Sequence, residues 1–216
     1  MFDIANRMAV YLSRETGLDQ SRTDRVRFGL ELLLGEIIKF ALLLAGAAVL
    51  GLLPETMAAM AGFSLFRLFS GGAHCEDYWR CLVFSLVAYL GASFASVLVA
   101  PYITKTIMTV LVIAGTTGIV LLVLLWAPGE VPQRKIKQSE RGLLKGLSIV
   151  FLLIWAGVLI FVLSPYSISV MLAGFLGTVV QAFSFTPPGY RAINIFDIVL
   201  SKKIGERRCS THAENA

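Results

Sequence analysis

Residues 71–81 read GGAHCEDYWRC and gather two glycines, a histidine, two carboxylates, an arginine and two of the chain's three cysteines. Cysteine and histidine together suit nucleophilic catalysis, in which an imidazole takes the thiol proton and the thiolate attacks a carbonyl. His74 and Cys81 are seven residues apart. On an unbroken helix that spacing returns both side chains to one face but ~10.5 Å apart along the axis, beyond hydrogen-bond reach. A working pair therefore needs a break, and Gly71-Gly72 supplies flexible backbone just ahead of His74. His74 is expected on a loop or first turn, leaning towards a Cys81 held at the rigid start of a helix. Asp77 could orient the ring, with Glu76 as the alternative. The Gly71 and Gly72 amides could hydrogen-bond a developing oxyanion. The bland reading of the same stretch is a polar loop with an inert thiol. A zinc site from His74, Cys75 and Cys81 has less support, because the second histidine, His212, lies in the tail and no paired C-x-x-C or H-E-x-x-H occurs. No G-x-S-x-G surrounds a serine. No metal or other cofactor is expected.

The elements around this stretch are apolar. The chain has 216 residues, 56% of them hydrophobic and 15% charged, where a soluble domain is about a quarter charged. Mean hydropathy is +0.76. The apolar residues fall in runs of about the length that crosses a ~30 Å hydrocarbon core, which predicts an all-α integral membrane protein with the lipid bilayer as its partner and no nucleic-acid ligand. Runs at 31–53, 81–99, 106–126 and 147–163 read as spans, and a fifth at 166–186 ends at Thr186-Pro187-Pro188-Gly189. The stretch 55–70 is shorter and carries Arg67. Basic residues decide it. Residues 1–27 hold Arg7, Arg14, Arg22, Arg25 and Arg27; the loop 127–146 holds Arg134, Lys135, Lys137, Arg141 and Lys145; the tail after 187 holds five more. The turns at Leu53-Pro54 and Ser164-Pro165 hold none. Counting 55–70 as a span puts every basic region on one side, as the positive-inside rule requires. The expectation is six transmembrane helices with both termini cytoplasmic.

Three segments follow: 1–27, an amphipathic cytoplasmic or interfacial segment with Phe2, Ala5, Met8, Ala9 and Leu12 at helical spacing; 28–186, a six-helix membrane domain; and 187–216, a basic cytoplasmic tail. Within the first span, Glu36 and Lys39 stand at i,i+3 and are expected to pair. On 81–99 the small residues Ala88, Ala92, Ser96 and Ala100 recur every four positions, beside Gly91 and Ala95, a face suited to close helix packing within the chain or with a second copy.

Arg67, six intervening residues, then His74, with Gly71-Gly72 between and Cys81 seven after the histidine, resembles the accessory gene regulator B (AgrB) family. The size, the six-span topology and a basic loop opening Trp126-Ala127-Pro128 are similar to the family's as well. The resemblance implies a membrane cysteine endopeptidase of the bacterial cytoplasmic membrane that processes the precursor of a quorum-sensing peptide. It implies Cys81 as nucleophile, His74 as general base, and Arg67 and Gly72 as further positions tied to activity. Cys75 stands where a small inert residue such as alanine would be expected, and the seven-residue spacing favours Cys81. The implied substrate, an AgrD-type precursor, has an acidic C-terminal tail that Arg134, Lys135, Lys137, Arg141 and Lys145 would attract. A homodimer is implied too. The rival reading is a small polytopic transporter or peptide exporter without proteolytic activity.

Overall fold

The computed structural model describes residues 2–17, 19–72, 78–129, 138–196, 198 and 199. Every element named among them is helical, and the chain divides into two compact units, Met1–Val49 and Leu50–Ala216.

The first unit is a helical hairpin of α1 (Phe2–Thr16) and α2 (Gln20–Val49). Gly17 ends α1 with φ 66°, the left-handed conformation in which a glycine has no Cβ to clash. Asp19 starts α2 by accepting the Arg22 N–H at 2.7 Å, satisfying a first-turn donor that the helix itself cannot. Of the amphipathic residues of α1, the small Ala5 and Ala9 are buried, whereas Met8 and Leu12 face outwards. On α2 the expected pair forms: Lys39 Nζ meets Glu36 Oε1 at 2.5 Å.

The second unit opens with α3 (Leu53–Met60), which passes through a π-helical turn (Ala61–Leu65) directly into α4 (Phe66–Ser70). It continues with α5 (Tyr78–Val99), α6 (Lys105–Trp126), α7 (Gln138–Gly157, extended by a second π-helical turn over Val158–Leu163) and α8 (Ile168–Ser184). A further helix, α9 (Pro187–Phe196), is bent 92° from α8. The TPPG motif therefore both ends one helix and begins another. Pro187 occupies the first helical position, where a missing N–H costs nothing, and the Gly189 N–H donates to Thr186 Oγ1.

Among the described residues, four helical stretches are long and apolar enough to cross a membrane: Gln20–Val49, Tyr78–Tyr102, Lys105–Trp126 and Glu140–Leu163. The bent pair of α8 and α9 makes a fifth if counted as one. The stretch expected as the second span, 55–70, is not among them, because it is short and Glu55 and Arg67 lower its hydropathy.

That stretch lies at the centre of the second unit, where it and α8 pack together. Gly62, Gly174 and Gly177 allow the approach. A Cβ added to Gly177 would run into the Ala59 backbone, and one added to Gly62 would run into the Gly174 carbonyl. This crossing is the small-residue contact membrane helices use in place of a hydrophobic driving force. On α5, Ser93 and Ser96 are buried and Thr56 Oγ1 donates to Ser93 Oγ at 3.0 Å, whereas Gly91 faces open space.

The burial pattern sets polar groups among an apolar core and leaves large apolar side chains on the outside. Buried positions include Glu55, Thr56, Ser70, Thr178, Gln181 and Ser184, while Val87, Phe94, Leu121, Leu125, Leu153 and Phe161 point outwards. Such an exterior demands an apolar solvent, and the polar groups buried within must find partners there. The chain is a helical membrane protein.

Candidate functional site

Phe66, fully buried, anchors α4. It stacks on Phe151 of α7, meets Phe185 edge-on, and shares a core with Val123, Leu152 and Ala182. The neighbouring Arg67 is thereby held at the end of a short, firmly packed helix. That helix closes at Gly71, whose N–H donates to Arg67 O at 3.1 Å. Gly71 has φ 64° and ψ −153°, and Gly72 has φ 134°, both conformations open to glycine. The Gly71 amide, expected from sequence to face a developing oxyanion, here caps its helix.

Here a second segment arrives. The chain leaving α6 runs through Ala127 and Pro128 to Gly129, which forms a short parallel bridge with Gly71 and donates its N–H to Ser70 O at 2.8 Å. Bare backbone is required on both sides. A Cβ on Gly71 would collide with the Gly129 carbonyl, and one on Gly129 would sit 2.9 Å from both Gly72 N and the Tyr190 hydroxyl.

The third contributor is α8. Gln181, fully buried, donates from Nε2 to Ser70 Oγ (2.9 Å) and to the Gly71 carbonyl (2.6 Å). Its Oε1 accepts from Ser184 Oγ (3.1 Å) and, more weakly, from Arg67 Nη1 (3.3 Å). Arg67 Nη2 reaches the Gly72 carbonyl at 3.4 Å, and its guanidinium lies 5.6 Å from the centre of the Phe63 ring. Arg67, Gly71 and Gly72, expected to act together, do meet. The residues that join them, Gln181, Ser70, Ser184 and Gly129, were not expected. Gln181 left a trace in the sequence as the one carboxamide in the apolar run 166–186, where a polar group without partners is costly.

Cys81 is a free, half-buried thiol in the first turn of α5. Its carbonyl accepts Ser85 Oγ at 2.8 Å. His74, Cys75, Glu76 and Asp77 lie outside the described residues, as do Arg134, Lys135 and Lys137. Of the remaining basic residues expected to attract a substrate tail, Lys145 donates to the Leu124 carbonyl at 2.9 Å, in the last turn of α6, where a cation also complements the helix dipole. Arg141 lies in the first turn of α7.

The fold and this glycine-backbone junction define a class: multi-helix membrane proteins carrying a half-buried cysteine at the head of a helix. The comparisons with known proteins identify the family within it. The profile of the family described as accessory gene regulator B matches residues 5–185, and the chain belongs to that family. An AgrB-like protein of Listeria monocytogenes is 27% identical over 195 residues, covering 88% of this chain and 90% of the relative. A second, from Listeria innocua, is 27% identical over the same length. Accessory gene regulator protein B of Staphylococcus aureus (strain JH9) is 23% identical over 182 residues, or 84% of this chain and 92% of the relative. No solved structure matches the chain.

Proposed function

We propose that this protein is a membrane-embedded cysteine endopeptidase that removes the C-terminal tail of an AgrD-type precursor and permits cyclisation of the signal peptide. The observation that carries the reading is a free thiol at the head of α5, nine residues along the sequence from a corner at Gly72 that Arg67 helps to hold, in a chain of the accessory gene regulator B family. Cys81 is the nucleophile and His74 the general base, with Asp77 or Glu76 orienting the imidazole.

The Cys81 thiolate adds to the carbonyl at the end of the signal segment. The C–N bond breaks, the imidazolium of His74 gives its proton to the departing amine, and the tail leaves. A thioester to Cys81 remains. A cysteine of the signal segment then attacks it, closing a thiolactone and returning the thiol of Cys81; a serine in that place would close a lactone. Exchange between thioesters is nearly balanced, so shielding the site from water favours ring closure over hydrolysis. The reaction belongs to the membrane domain over 28–186, in a six-span topology with 1–27 and the tail 187–216 on the cytoplasmic side, in a bacterial cytoplasmic membrane. Arg134, Lys135, Lys137 and Arg141 attract the acidic tail, and two copies form the working unit.

The test incubates the purified full chain in liposomes with precursors encoded beside its gene and follows products by mass spectrometry. Tail release with a peptide adduct on Cys81, both abolished in Cys81→Ala and the adduct slowed in His74→Ala, is the expected result. Full processing by Cys81→Ala would refute the peptidase reading, as would failure of the folded wild-type protein to cleave any of them.

A further inference from the structure

We infer that Gln181 is a positioning residue for this reaction, fixing from α8 the corner at Gly71 and Gly72 from which the chain proceeds to His74. The inference rests on the cysteine-peptidase reading.

A carboxamide has two N–H donors and an oxygen with two lone pairs. In Gln181 both donors are engaged, by the Ser70 hydroxyl and the Gly71 carbonyl, and the oxygen accepts from the Arg67 guanidinium while sharing the single Ser184 proton with the Gln181 backbone carbonyl, the nearer acceptor at 2.8 Å. Only one orientation of the amide works. Turned over, its NH2 would face the donors of Arg67 and its oxygen would face the Gly71 carbonyl, two repulsive contacts in place of two bonds. The group is fully buried, so water cannot replace a lost partner.

The contacts fall where they control backbone direction. Gly71 and Gly72 lie in conformations that leave the chain free to swing unless something holds their carbonyls. Gln181 holds the first, and Arg67, itself bound to Gln181, holds the second. Gln181 also bonds the hydroxyl of Ser70, whose carbonyl receives the Gly129 N–H, so the same side chain steadies the bridge between the two loops. It lies 110 residues along the chain from Gly71, and a rigid packed helix places a group more accurately than a loop can.

The experiment compares Gln181→Glu and Gln181→Met with the wild-type chain in liposomes, on a precursor the wild type cleaves. Glutamate keeps the size and the acceptor for Arg67 but sets an oxygen against the Gly71 carbonyl; methionine keeps the volume and loses the polar network. A positioning role predicts that kcat per folded molecule falls about a hundredfold, the order expected for a ~1 Å misplacement, while KM stays within about twofold and Gln181→Glu, though less stable, remains folded at the assay temperature. Gln181→Glu decides the matter if the methionine variant does not fold. Wild-type kcat in Gln181→Glu, with Cys81→Ala inactive, would overturn this inference alone. So would a loss that merely tracks melting temperature and folded fraction. Activity in Cys81→Ala would instead remove the peptidase reading beneath it.

Discussion

Arg67 shows how much a site can ask of one side chain. Its two terminal nitrogens serve two acceptors in different elements, Gln181 Oε1 on α8 and the Gly72 carbonyl in the loop, while its plane lies near Phe63. Only a rigid, planar fork does this; a lysine presents one nitrogen on a flexible stem. Arg67→Lys is expected to slow tail release by roughly 10- to 100-fold, the kinetic equivalent of one charge-assisted bond of about 1.5–3 kcal/mol. Steady-state rates in liposomes measure it, and a wild-type rate would show that charge alone suffices. The sequence revealed Arg67, Gly71 and Gly72 because their spacing resembles a family pattern. It did not reveal Gln181 or Ser184, since a polar residue in an apolar run announces that it needs partners without naming them. Nor did it reveal that the Gly71 amide is already taken, because a helix cap depends on where α4 stops.

At the scale of elements, hydropathy placed α5 and α6 to within a few residues, because each is free of charge beyond a single basic residue in its first turn, Arg80 and Lys105. It missed the first turns of α2 and α7, where charged residues continue a helix beyond its apolar part: Asp24, Arg25 and Arg27 in one, Glu140, Arg141 and Lys145 in the other. It also took Pro187-Pro188 as a stop only, although proline opens helices as readily as it closes them. The choice of packing face was harder still. The regular small residues of α5 stood out in the sequence, yet α8 makes glycine contacts too tight for a Cβ with α3, at Gly177 and Ala59, and with the π-helical turn after it, at Gly174 and Gly62. Substitution separates the two. Gly177→Ala, which drives a methyl into the Ala59 backbone, should destabilise the protein by about 1–3 kcal/mol or prevent its accumulation, as overpacking does. Gly91→Ala, with nothing near the added carbon, should be neutral or stabilising by about 0.5–1 kcal/mol through helix propensity. Thermal unfolding in a single detergent compares them, and equal effects would contradict the assigned crossing.

For the whole molecule, the long apolar helices and their apolar exterior establish a membrane protein, while its orientation rests on charge. The six-span arrangement predicts that the turns at Tyr102 and Tyr166 share the outer face and that α1 lies inside. Both tyrosines are well exposed, at 86% and 77%. Cysteine placed at either, with the native cysteines replaced by serine, should react with an impermeant maleimide on intact cells. Cysteine at position 14 should react only after permeabilisation. Labelling of position 14 from outside, or opposite results at 102 and 166, would require fewer spans and a different assignment for Leu53–Ser70. Composition could establish the solvent but not this count, because α3, the π-helical turn and α4 carry the polar groups that the rest of the unit packs around.

The parallel bridge between Gly71 and Gly129 ties two loops that are far apart in sequence to one mooring point. A chain cannot stretch beyond about 3.6 Å per residue. In the sequence Arg134 stands five residues and Lys137 eight residues past Gly129, linker lengths that can span at most roughly 18 Å and roughly 29 Å. Under the proposed function, a substrate tail gripped by those side chains would be spared a search through solution for the glycine corner. It would meet that corner at the high effective concentration of a short leash, so that modest affinity for the tail would become efficient delivery of the bond to be cut.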